Sequence, residues 1–181
     1  MSGTPYVASE DSALLRRALQ GESGESCLEI GAGNGGNLVE LSRRYSVVVG
    51  TDIVRPNMSD WKATGANYVL ADGASCLKDS TFDLVAFNPP YLAAEQAGDP
   101  AVEGGRRLEV PRAFLREALR AVKRGGRIVF LLCDEADMGD FRTECRKKGF
   151  GLEKLMSERY FFEGLAVYLA AADGQGLRSP V

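Results

Sequence analysis

Cys27-Leu28-Glu29-Ile30-Gly31-Ala32-Gly33-Asn34-Gly35-Gly36 is the stretch from which the rest of the chain is read. Cys27 to Ile30 is an apolar run, broken by one carboxylate, of the kind that forms a buried strand. The glycines that follow let the backbone turn tightly and come close to a ligand. Leu38, Val39 and Leu41 then recur at helical spacing. Strand, glycine loop and helix in that order open a parallel α/β sheet, with ligands at the carboxyl ends of its strands. The glycines satisfy both Gly-x-Gly-x-Gly and Gly-x-Gly-x-x-Gly, so the loop alone does not choose the cofactor. Glu29, two residues before the first glycine, argues against a pyrophosphate, which disfavours a carboxylate nearby.

Downstream, Ser46 to Thr51 reads as a second strand ending in Asp52. A carboxylate at that strand tip accepts hydrogen bonds from ribose hydroxyls, or simply caps a turn; with the glycine loop upstream, the ribose role is favoured. Ile53 is then placed against a base. Arg55 to Gly65 is weakly patterned, and Pro56 and Asn57 break it, so the crossover helix is expected to be short or missing. Trp61 has no clear amphipathic partners and suits either the core or a partner surface. Asn67 to Ala71 is a third strand at a sheet edge, followed by Asp72-Gly73, which is a turn or a second acceptor. An apolar edge under thin helical cover calls for something to pair with it.

Phe82 to Phe87 is another buried strand, and it runs into Asn88-Pro89-Pro90-Tyr91. Two prolines stop the strand, forbid a helix and stiffen the turn, and neither has an N–H. What remains is an Asn side-chain carbonyl, bare backbone carbonyls and an aromatic face. Such a corner accepts hydrogen bonds from a flat group carrying an NH₂. The alternative is a plain strand-terminating turn.

Asn88-Pro89-Pro90-Tyr91 resembles motif IV of class I S-adenosylmethionine methyltransferases that modify planar nitrogens: adenine N6, guanine N2 and glutamine amides. The resemblance implies that Asn88 and the Pro89 carbonyl accept the target N–H bonds, with Pro90 stiffening the corner and Tyr91 packing on the flat group. It also implies cofactor contacts from Ser12, Glu29, Gly31, Gly33, Asp52, Ile53, Asp72, Gly73 and Asn88. Tyr6 followed by Glu10-Asp11-Ser12-x-Leu14-Leu15 is similar to the opening of HemK-like protein glutamine methyltransferases, with Ala8 in place of a family proline and Ser12 in place of threonine. Glu103-Gly104-Gly105-Arg106-x-x-Glu109-Val110 resembles a stretch of their archaeal and eukaryotic branch, with Leu108 where a glycine often lies. The absence of a longer N-terminal helical domain fits that branch. Arg106 then orients the substrate or braces its loop. The resemblance implies N5-methylation of the Gly-Gly-Gln glutamine of a class 1 release factor. The cofactor would be S-adenosylmethionine and its product S-adenosylhomocysteine. A small zinc-binding activator would cover the third-strand edge. The same tetrapeptide leaves nucleic-acid methylation at adenine N6 or guanine N2 open, and, less well matched, lysine methylation.

The 181 residues carry 22 basic and 25 acidic side chains, a balance unlike that of proteins gripping long nucleic acid. No histidine is present, which removes the usual general base and metal ligand; no metal site is expected. Cys27, Cys76, Cys133 and Cys145 lack paired metal spacing, with Cys27 and Cys133 in apolar strand contexts. No signal peptide or membrane span is visible, so the expected location is cytoplasmic.

The remaining chain continues the alternation. Ser9 to Ser12 opens a helix with Leu14, Leu15, Ala18 and Leu19 on one face, ending near Gly21. Leu92 to Glu109 is a long loop, of a length that is usually functional or disordered. Pro111 suits a first helical turn, before Phe114, Leu115, Ala118, Leu119 and Val122, with Gly125-Gly126 as terminator. Arg127 to Cys133 is a fifth strand, and Asp134 caps a helix presenting Met138, Phe141 and Cys145 before Gly149. Leu152 to Ser157 and Leu165 to Ala170 form a closing hairpin. The expected fold is α/β and Rossmann-like: an open, mostly parallel seven-stranded sheet with one antiparallel strand and helices on both faces. One methyltransferase domain spans residues 1–181, with a lead-in over 1–8 and a flexible tail over 173–181.

Overall fold

The structure, a computed structural model, describes residues 10–90, 106–160 and 164–172. The lead-in, Tyr91, the stretch to residue 105 and the tail lie outside the described residues. In chain order the elements are α1 (Glu10–Leu19), β1 (Gly24–Ile30), α2 (Leu38–Leu41), β2 (Tyr45–Asp52), α3 (Met58–Thr64), β3 (Asn67–Leu70) and β4 (Phe82–Phe87). There follow α4 (Arg106–Ala121), β5 (Val122–Cys133), α5 (Gly139–Lys147), β6 (Phe150–Arg159) and β7 (Gly164–Ala172). The seven strands form one sheet in the order β3-β2-β1-β4-β5-β7-β6. Pairs among β1 to β5 are parallel, whereas β7 runs antiparallel to both β5 and β6. The α/β expectation therefore holds, including the terminal hairpin and the third strand at an edge.

Alternate strand residues feed two cores, as the strand period of 2 requires. Cys27, Val48, Leu84 and Val129 face Leu14 and Leu15 of α1, Leu38 and Leu41 of α2, and Trp61 of α3. Leu28, Val85, Phe87 and Phe130 face Leu115 and Leu119 of α4 and Phe141 of α5. On that second face Phe87 stacks on Phe130 with centroids 4.8 Å apart, and Phe130 continues to Tyr168 at 5.6 Å. These rings pin β4, and hence its tip, to the middle of the sheet.

Several local readings are corrected. The helix after the glycine loop has only four residues, and Val39 is exposed while Leu38 and Leu41 are buried. Trp61 belongs to the core, 2% exposed, with its indole N–H donating to the Ala66 carbonyl at 3.0 Å. Its crossover helix is short, as expected, and ends on Gly65 with a left-handed φ of 74°. Pro111 lies inside α4 and does not start it, at the cost of one backbone bond to the Arg107 carbonyl. That helix stops at Ala121, and Val122 and Gly125-Gly126 belong to β5. Close approach explains the glycine: a Cβ on Gly126 would sit 2.6 Å from Val122 Cγ2 and 2.8 Å from the Asp83 carbonyl oxygen. Asp134 does not cap α5; it pairs with Lys154, while Asp137 accepts from the Gly139 N–H at 2.9 Å. Cys27 and Cys145 are buried, Cys133 is half-buried, and burial pushes the Cys145 thiol up to about 12. Among the described residues no helix is long and apolar enough to cross a membrane.

Two packing features set stability. Glu22, just after α1, and Arg127 of β5 are both buried, with Arg127 Nε donating to Glu22 Oε1 at 3.0 Å. Nη2 lies 2.9 Å from the same oxygen. Gly50 of β2 is the other: a Cβ there would stand 2.6 Å from Trp61 Cη2 and 2.7 Å from Leu38 Cδ1. Gly50→Ala is expected to destabilise by about 1–3 kcal/mol through overpacking. Thermal melts would show this as a fall of several degrees; an unchanged midpoint would mean that Trp61 yields without cost.

Candidate active site at the carboxyl ends of three strands

The strand register assembles the site. Ile30, the last residue of β1, lies opposite Thr51 of β2 on one side and Phe87 of β4 on the other. The next residues on each strand are therefore neighbours: Gly31 in the middle, Asp52 and Asn88 on its flanks. With strands about 4.8 Å apart, the two flanking backbones are roughly 10 Å from each other across the glycine bend. The chain reverses its direction of travel across the sheet between β1 and β4. This is the switch point at which open α/β sheets bind ligands.

The bend is held by its own backbone. The N–H groups of Gly31 and Ala32 both donate to the Thr51 carbonyl at 2.9 Å. Gly31 and Gly33 have φ of 70° and 55°, a region costly for other residues. A Cβ on Gly33 would meet nothing within 4 Å, so the glycine leaves open space over the bend. Its N–H donates to Asp52 Oδ2 at 2.8 Å, and Asp52 Oδ1 accepts from the Val54 N–H at 2.8 Å. The carboxylate is thus locked in place with one lone pair per oxygen to spare. Beside it Ile53 is 69% exposed, a flat apolar surface at the rim of a polar bend.

Below the bend, Glu29 is buried and Oε1 accepts from Asn37 Nδ2 at 2.7 Å. Among the described residues, Glu29 Oε2 and Asn37 Oδ1 are buried without hydrogen-bond partners. Burial pushes the Glu29 carboxyl up to about 7, against the Asn37 bond and the attraction of Arg16, with the Asp52 charge adding to the rise. Two orphaned acceptors on one pair of side chains suit a cationic donor. At the tip of β4, Asn88 Oδ1 is likewise buried and without a partner among the described residues. Pro89 beside it is buried and Pro90 exposed.

Other sequence-derived candidates are less central. Ser12 is half-buried on α1. Asp72 is exposed, and its main-chain oxygen accepts from Ser75 Oγ at 2.8 Å. Gly73 has φ of 59°, with Glu117 Cγ 3.4 Å from a Cβ built there. Tyr91 and the Arg106 side chain fall outside the described residues, as do Tyr6 and Ala8. Asn37 and Arg16 were missed by the sequence reading. The signal for Asn37 was its place at the start of α2, one loop after Glu29. A separate cavity of about 480 Å³, lined by Arg142, Arg146 and Phe150 among others, contains none of these residues.

Comparison with known proteins agrees with this layout. A family model described as Methyltransferase domain matches residues 28–130. An uncharacterized protein of Methanocaldococcus jannaschii is 27% identical over 142 residues, which is 77% of this chain and 58% of that protein. The chain thus spans under two thirds of that relative's length. Among solved structures, the E. cuniculi Mtq2–Trm112 complex, described as responsible for methylation of the eRF1 translation termination factor, superposes with a TM-score of 0.71. The identity is 25%, over 92% of this chain and 98% of that one. The T. thermophilus 16S rRNA N2 methyltransferase RsmC, solved with AdoMet and guanosine, shares the fold at a TM-score of 0.61 and 21% identity, over 96% of this chain and 41% of that one. With the family model spanning the glycine bend, Asp52 and Asn88 alike, the chain belongs to the methyltransferase domain family.

Proposed function

We propose that this methyltransferase transfers a methyl group from S-adenosylmethionine to a glutamine side-chain amide, the glutamine of a Gly-Gly-Gln motif in a class 1 release factor. S-adenosylmethionine is the cofactor, and it supplies a methyl group on a cationic sulfur. The chain's residues suit it: Asp52 for the ribose, Ile53 for the adenine, the open side of Gly33 for close approach, and Glu29 with Asn37 for the ammonium. Asp72 and Gly73 stand at the end of β3 as further candidates for the adenine side.

The observation that carries the choice of target is Asn88 Oδ1, buried and without a partner among the described residues, one strand away from the glycine bend. A buried acceptor without a donor costs about 1–3 kcal/mol, and an incoming N–H offsets that. An amide nitrogen is a poor nucleophile because its lone pair is delocalised. Accepting its two N–H bonds at Asn88 and the Pro89 carbonyl fixes its orientation, and orientation of this kind supplies much of a rate enhancement. As the N–CH₃ bond forms the S–CH₃ bond would break to leave neutral S-adenosylhomocysteine, and the amide nitrogen would release one proton to solvent. Tyr91 packs on the flat amide and Arg106 steadies the substrate backbone. The likeness to the Mtq2–Trm112 complex supports the same target and a small activator subunit. A surface for such a partner is present at the β3 edge, where Leu70 is 62% and Val54 67% exposed. Trp61, being core, takes no part.

The test is a radiolabelled-methyl assay with the release factor, its Gly-Gly-Glu variant and RNA, with and without the activator. Label on the factor that vanishes in the Gly-Gly-Glu variant is the expected result. Label on RNA or on lysine instead would overturn the reading. A chain that is soluble and fully active alone would overturn the partner.

Glu29 also predicts a pH dependence. Its carboxyl is raised from 4.5 to about 7, so the folded state holds a proton that the unfolded chain has released. That stabilisation is complete below the unfolded value and is lost as pH rises through about 7. Binding of a cationic ligand has the opposite sign, because it requires the ionised form. The dissociation constant for S-adenosylmethionine is therefore expected to rise about tenfold per pH unit below the Glu29 value and to level off above it. Titration calorimetry across that range checks this, and Glu29→Gln should flatten the profile. A flat profile in the wild type would show that Glu29 does not meet the ammonium.

A further inference from the structure

The unpartnered atoms of Glu29 and Asn37, Oε2 and Oδ1, are both acceptors, yet the amino-acid end of the cofactor is a zwitterion with a carboxylate beside its ammonium. A carboxylate needs donors, and Arg16 stands where they are required. On α1 it lies four residues after Ser12, on the same helical face. Its Nη2 is 3.2 Å from where a Cβ on Gly36 would sit, so the guanidinium lies against the glycine bend. Its charge acts directly on Glu29. Its Nε is buried with no hydrogen-bond partner among the described residues, so the fork is not consumed by them. The neighbouring Arg17 points elsewhere and pairs with Glu158.

We propose that Arg16 binds the carboxylate of the cofactor's amino-acid end, completing with Glu29 and Asn37 a pocket of both signs. Arg is the side chain suited to this, since its planar fork matches a carboxylate with two parallel N–H bonds. Helix α1 thereby becomes part of the cofactor site. The inference rests on S-adenosylmethionine being the cofactor.

The experiment compares S-adenosylmethionine with its decarboxylated analogue, which keeps the ammonium and sulfonium but lacks the carboxylate. Both are titrated calorimetrically into wild type, Arg16→Ala and Arg16→Lys at about pH 8, where Glu29 is ionised. Arg16→Ala is expected to weaken S-adenosylmethionine roughly 10- to 100-fold, the loss of charge-assisted hydrogen bonds, and to leave the analogue unchanged. Arg16→Lys, which keeps the charge but not the fork, should fall between. Equal losses for both ligands would show that Arg16 acts through Glu29 or the bend, and no loss would show that it does not touch the cofactor. Either result overturns the proposal while wild-type binding upholds the cofactor. A wild type that binds neither compound removes the cofactor assignment and this proposal together. Thermal melts of the variants confirm that each is folded.

Discussion

Asn88→Ala is expected to lower kcat by roughly 100- to 1000-fold, the scale of removing one preorganised hydrogen-bonding group from an active site, and to leave S-adenosylmethionine affinity nearly unchanged. The substitution deletes the side-chain amide at the tip of β4, whose Oδ1 has no partner among the described residues. The stacked rings of Phe87 and Phe130 hold the strand from below, so the backbone of the corner stays put. Asp52→Ala should behave in the opposite way. Its carboxylate ties Gly33 to Val54 and is the group proposed for the ribose, so its loss should weaken the cofactor by roughly 10- to 100-fold. Saturating cofactor should then restore most of the rate. Measuring both variants by titration and by initial rates separates the two roles. Normal turnover in Asn88→Ala would end the account of the diproline corner as an amide acceptor.

The second large effect lies far from the chemistry. Arg127→Met is expected to cost about 3–5 kcal/mol, because it strands the Glu22 carboxylate in a site where both partners are buried. For a domain whose total stability is about 5–15 kcal/mol, that is a large share. The melting point should drop by roughly 6–20 °C on the scale of about 2–4 °C per kcal/mol for chains of this size. The double variant Glu22→Leu with Arg127→Met should recover much of the loss, since no charge is then left alone. A single variant as stable as wild type would mean that the carboxylate simply takes up a proton or reaches water.

Much of this was legible along the chain. Glycines at 31 and 33 after an apolar run, an acid at the next strand tip and a diproline at the fourth each announce a strand end by local chemistry. Register then does the rest, because parallel pairing brings consecutive strand tips together. What could not be read is of two kinds. Local rules misled where a backbone did something unusual. Pro111 looked like a helix start but lies within α4, and Gly125-Gly126 looked like a helix stop but lets β5 pass close to Phe82 and Asp83. Long-range partners were invisible, because nothing in a period of 2 or 3.6 relates residue 22 to residue 127, or Arg16 to Glu29. Asp134 shows both failures: it has the chemistry of a cap, and Lys154, twenty residues away, claims it instead.

The four residues of β3 carry a further consequence. Among the described residues they hold to the sheet through β2 alone, and alternate amides along them turn outward with no described strand beyond. Their protons should therefore trade with deuterated solvent sooner than those of β1 and β4, which are clasped on both sides. A subunit docking along this rim would slow that trade at residues 67–70 while leaving the sheet's middle as it was.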